Sequence, residues 1–110
     1  MTRDPEVYIE DIVESAGLIE EYLEGVSKDE FLSDTGVQDK VIRRLEIIGE
    51  AVKNIPEEVS EEYSYIPWKD IAGMRDMLAH EYFGIDMERV WKVANDDLPE
   101  LQEKLDDWKE

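Results

Sequence analysis

Along most of this chain apolar side chains return every three or four positions, a spacing that only a helix turns into one continuous face. Ile9, Ile12, Ala16, Ile19 and Leu23 keep that spacing in the first segment, with Asp4 placed to cap it, Pro5 in its first turn and Gly25 at its end. Ser27-Lys28-Asp29-Glu30 has the form of a capping box that opens a short second helix before a Ser33-Asp34-Thr35-Gly36 turn. Val37, Val41, Leu45, Ile48, Val52 and Ile55 define a third helix that runs to Pro56. One helical turn is expected around residues 57–63, inside an acidic connection. A fourth helix starts near Trp68 and passes through Ile71, Met74 and Leu78 towards Gly84. After an Asp86 cap, the last segment sets Val90, Trp91, Ala94, Leu98, Leu101, Leu105 and Trp108 on one side, with Pro99 either kinking it or starting a new helix. No strand alternation appears. The expected fold is all-α, an antiparallel bundle of four to five main helices forming one domain over residues 1–110.

Two glycines fall inside these helices, Gly49 and Gly73, each at a propensity cost of about 1 kcal/mol relative to alanine. A close helix crossing would account for both. Glu46 and Glu50 stand one turn apart and repel unless Arg43, Arg44 or Lys53 separates them.

Composition removes several function classes. The absence of cysteine excludes disulfides, thiolate nucleophiles and zinc-thiolate sites. No apolar run approaches the roughly 18 residues that would suggest a bilayer span, and the N-terminus turns acidic where a signal peptide would turn apolar, so a cytoplasmic protein without membrane partners is expected. Thirty acidic against twelve basic residues give a net charge of -18, whose field repels polyanions and argues against a broad nucleic-acid-binding face; DNA is not an expected partner.

The densest group of reactive side chains is Arg75-Asp76-Met77-Leu78-Ala79-His80-Glu81-Tyr82, which holds the only histidine. A lone histidine near a helix end is more often a cap or a surface residue than a catalyst. On an ideal helix Arg75 and Tyr82 lie about 20° apart and share a face, Arg75 and His80 lie about 140° apart, and Asp76 lines up with His80, where it can orient the imidazole. The helical Glu-x-x-His pattern fails because Met77 stands where the glutamate belongs, and His-Glu-x-x-His fails at Gly84, so neither a metal nor a cofactor is expected. Metal-free RNA cleavage needs a base for the 2′-hydroxyl, an acid for the departing oxygen and a cation for the pentavalent phosphorane. One histidine does not easily fill both proton-transfer roles, whereas a two-fold dimer brings two His80 imidazoles and two Arg75 guanidiniums to one cleft.

Arg75-x4-His80-x-Tyr82 matches in full the motif of the HepT-type HEPN family, and the chain resembles that family over nearly its whole length. The stretch from Arg43-Arg44-Leu45-Glu46 to Gly49-Glu50-Ala51 is similar to the family's helix signature, and Ile66-Pro67-Trp68-Lys69-Asp70 to its approach to the motif. Tyr82-Phe83-Gly84-Ile85-Asp86 and Asp97-Leu98-Pro99-Glu100-Leu101 also fit. The resemblance implies a HEPN-like homodimer that acts as the RNA endonuclease toxin of a toxin-antitoxin pair. Arg75 and His80 would be catalytic and Asp76 supporting. The partner implied is a minimal nucleotidyltransferase antitoxin that transfers AMP from ATP to Tyr82 and so blocks the cleft. Arg43, Arg44, Glu50 and Lys53 are possible cleft residues, and Lys69 is a further cation to look for there. The competing expectations are a non-catalytic dimeric module that binds a nucleotidyltransferase or nucleotide, and a purely structural dimer.

Overall fold

The computed structural model describes residues 4–66, 68–69, 71–73 and 86–108, and these are mostly helical with no strand among them. Helix α1 (Pro5–Leu23) starts where the Asp4 side chain accepts the Glu6 N–H at 3.0 Å. It stops two residues before Gly25, whose φ of 73° is a left-handed conformation that costs a Cβ-bearing residue and costs glycine almost nothing. Helix α2 (Lys28–Ser33) is capped by Ser27, whose hydroxyl accepts the Glu30 N–H at 3.1 Å.

Helix α3 (Thr35–Lys53) begins earlier than the sequence suggested. The expected four-residue turn contracts to Asp34 alone, which ends α2 and caps α3 by accepting the Val37 N–H at 3.1 Å. One short side chain satisfies a helix start without a separate loop. The expected helical turn in the acidic connection is helix α4 (Glu57–Glu62). Residues 68, 69 and 71–73 are helical, as the fourth segment requires, while Met74, Leu78 and the rest of that segment to residue 85 lie outside the described residues.

The C-terminal segment does not start a separate helix at Pro99. Helix α5 (Met87–Lys92) runs through a π-helical turn (Val93–Asp97) directly into helix α6 (Leu98–Trp108). In a regular α-helix the Pro99 ring would press on the Asn95 carbonyl. The wider π turn, in which the Leu98 N–H donates to the Val93 carbonyl, accommodates that ring, and the Asn95 side-chain amide donates to the Trp91 carbonyl at 3.1 Å.

The expected apolar stripes meet in one core. Ile9, Ile12, Ala16, Ile19 and Leu23 of α1 are buried against Val41, Leu45, Ile48 and Val52 of α3. Val90, Leu98, Leu101 and Leu105 close the core from the C-terminal segment, whereas Val37 and Trp91 are only partly buried at its margin. Residues Tyr8 and Asp11, near the start of α1, share a groove with Glu50 and Asn54, near the end of α3, so the two long helices run antiparallel. Buried Gln38 donates its side-chain amide to the Phe31 carbonyl at 2.9 Å, tying α3 to α2.

The two helical glycines differ. Gly49 is buried in α3, whereas Gly73 is exposed, and among the described residues no atom lies within 4 Å of the place its Cβ would take.

Candidate functional site

Arg75, Asp76, His80 and Tyr82 all lie outside the described residues; the structure describes what leads into and away from them. On the approach, the Ile66 and Ile71 side chains are buried, and the Trp68 indole N–H donates to the Tyr63 carbonyl at 3.1 Å. Beyond the motif, the Asp86 carboxylate accepts the Glu88 N–H at 3.0 Å and the Arg89 N–H at 3.3 Å, fixing the first turn of α5, and Val90 anchors that helix in the core. Replacing Asp86 by alanine is expected to cost about 1 kcal/mol, read as a lower midpoint in thermal unfolding followed by circular dichroism.

Of the cations expected near the motif, Arg43 and Lys69 line two different grooves. Arg43 and Glu50 line one of about 540 Å³ with Tyr8, Asp11 and Glu46. Arg43 lies 3.9 Å from Glu46, in an exposed pair that contributes little to stability. One guanidinium faces three carboxylates in this groove, a balance unsuited to a polyanion. Neither Arg44, which is half-buried on α3, nor exposed Lys53 lines it.

Lys69 belongs to another groove, of about 630 Å³, lined also by Arg89, Lys92 and Lys104 and by the acids Asp97 and Glu100, all from the C-terminal segment. Exposed Gly73 lies on the lining of the same groove, two positions before Arg75 in sequence. The three C-terminal cations escaped the sequence reading; the available signal was the one-turn spacing of Arg89 and Lys92 on an amphipathic helix.

A family model described as Ribonuclease HepT-like matches residues 12–107, nearly the whole chain and the full Arg75-x4-His80-x-Tyr82 motif. The chain belongs to the HepT-like ribonuclease family. Among its HepT-like relatives is a protein of Thermococcus cleftensis named "Probable ribonuclease HepT", 45% identical over 106 residues that cover 96% of each chain. A Caldanaerobacter subterraneus protein named as a candidate RNase is 42% identical, over 94% of this chain and 92% of its own length. A Methanocaldococcus jannaschii protein, whose name joins gamma-glutamylcyclotransferase to a candidate RNase, is 48% identical over 96% of this chain. The chain spans only 47% of that relative, about half its length, so the HepT-like portion there adjoins further sequence. No solved structure gives a significant match. Among the described residues of this HepT-like chain, no helix is long and apolar enough to cross a membrane.

Proposed function

We propose that this chain is a metal-independent RNA endonuclease, the toxin of a toxin-antitoxin pair, acting as a cytoplasmic homodimer with its active site in the dimer cleft. The observation that carries the reading is the complete Arg75-x4-His80-x-Tyr82 motif in a chain that belongs to the HepT-like ribonuclease family. Residues 1–110 act as one HEPN-like unit.

In the reaction, one His80 imidazole takes the proton of an RNA 2′-hydroxyl as that oxygen attacks the adjacent phosphorus. Arg75 offers its guanidinium fork to the phosphorane oxygens as negative charge builds on them. The His80 of the second protomer protonates the departing 5′-oxygen, leaving a 2′,3′-cyclic phosphate and a free 5′-hydroxyl. Asp76 supports the imidazole through its position one helical turn earlier. No cofactor enters any step. Transfer of AMP from ATP to the Tyr82 hydroxyl by a minimal nucleotidyltransferase, with release of pyrophosphate, silences the enzyme, because an anionic group on the face shared with Arg75 occupies the cleft and pairs with the guanidinium. The net charge of -18 suits docking to a partner with a basic face.

The test is cleavage of end-labelled RNA by the purified dimer in the presence of a chelator, before and after the nucleotidyltransferase has modified Tyr82. Cleavage that modification abolishes, and that a Tyr82→Phe variant retains under the same treatment, is the expected result. No cleavage of any RNA, together with tight nucleotidyltransferase binding, would make the chain a non-catalytic recognition module instead.

A further inference from the structure

The groove beside the motif approach combines features that the groove lined by Arg43 lacks. Four of the twelve basic residues, Lys69, Arg89, Lys92 and Lys104, line it. The acids of its described lining are Asp97 and Glu100, and Glu100 is held 3.3 Å from the Lys104 ammonium. The described lining therefore carries a local excess of two positive charges in a chain whose net charge is -18. Arg89 and Lys104 mark out roughly 20 Å of helix at about 1.5 Å per residue, long enough to meet several consecutive phosphates. Tyr65 is the large apolar residue left exposed among the described residues, at 46%. Its hydroxyl lies 3.5 Å from the Lys104 carbonyl, and its ring meets Tyr63 edge-on with centroids 6.2 Å apart. Gly73, on the lining, has no described neighbour that requires a glycine.

We propose that this groove is the track along which single-stranded RNA reaches the motif, with Lys69, Arg89, Lys92 and Lys104 holding backbone phosphates, Tyr65 stacking a base at the Lys104 end, and Gly73 admitting the backbone close to the residues that precede Arg75. This deepens the ribonuclease reading and rests on it. Charge alone would equally attract an acidic protein segment; the exposed aromatic ring beside the cations is what favours RNA, because every base has a face to stack. The arrangement also reconciles a strongly acidic chain with a polyanionic substrate: long-range repulsion is offset where the strand lies, and net charge elsewhere does not enter the contact.

The experiment measures binding of a fluorescently labelled single-stranded RNA by anisotropy over a salt series, in full-length protein carrying His80→Ala so that nothing is cleaved. Each phosphate contact on a single strand adds about 0.7 to the slope of log affinity against log salt. Arg89→Gln combined with Lys92→Gln should lower the slope by about 1.4, so that from 50 to 200 mM salt it loses about sevenfold less affinity than its parent. The charge-retaining pair Arg89→Lys and Lys92→Arg should restore the slope, and Lys28→Gln with Lys40→Gln, two cations outside the groove, should leave it unchanged. Tyr65→Ala should weaken binding on the order of tenfold without changing the slope. The side chains of Lys28, Lys40, Tyr65, Arg89 and Lys92 are all exposed, and circular dichroism verifies that each variant folds. With His80 intact, the Arg89 and Lys92 variant should raise KM and leave kcat in place. Active natural protein with an unaltered slope and KM in the groove variant would overturn the track and leave the ribonuclease standing. Natural protein that neither binds nor cleaves RNA would overturn both.

Discussion

Replacing His80 by alanine is expected to lower metal-free RNA cleavage by about two to four orders of magnitude, measured as kcat on labelled RNA under single-turnover conditions. The chain has one histidine, so in a homodimer a single substitution removes the acid and the base together. Arg75→Ala should cost about two to three orders of magnitude through loss of the charge that stabilises the phosphorane. The two losses should not add. Groups that serve one transition state act as a unit, so the double variant should fall close to the more damaging single variant. Additive losses would mean that Arg75 and His80 serve separate steps, which would break the mechanism proposed for them.

Phe31→Ala should be the most destabilising single core change, at about 3–5 kcal/mol by denaturant unfolding. Phe31 is fully buried although α2 is only six residues long, and its ring meets Trp91 of α5 with centroids 5.4 Å apart, tilted by 40°. So short a helix is not stable on its own, and the Phe31 ring is its fully buried anchor in the bundle. Its removal leaves a cavity between α2 and α5. Because α5 also carries Arg89 and Lys92, the expected loss extends to RNA affinity. A loss below about 1.5 kcal/mol would show that α2 and the first turn of α5 repack without the ring, and would separate the stability of α2 from the geometry of the groove.

Much of this architecture was legible because capping is local chemistry. Asp4 with Pro5, Ser27 with Glu30, and Asp86 each announce a helix start within four residues, and each caps as its sequence pattern indicates. The core stripes of α1 and α3 follow from spacing alone, since every residue of the first stripe is buried. The contraction of the 33–36 turn to Asp34 was not legible, because a four-residue turn and a shared cap place the same residue types in the same order. The π turn was hidden for a related reason: Pro99 signals trouble for a regular helix without saying whether kinking, breaking or widening relieves it. At the site, the motif was readable as a sequence pattern. The basic groove was not, because Lys69 and Lys104 are thirty-five positions apart in a chain dominated by acidic residues, and only packing brings them to one hollow.

The π turn also acts as a phase shifter. Twelve steps separate Lys92 from Lys104, and an unbroken α-helix would leave them about 120° apart around the axis. One widened turn absorbs about one residue, roughly 100° of rotation, and brings the two ammonium groups to within about 20° of the same bearing. The same offset takes Leu98 from about 80° away from Val90 to about 20°, keeping the buried stripe aligned across the join. A chain shortened by one residue within 93–97 would have a more regular helix that could no longer present both its buried stripe and its row of cations to their proper sides.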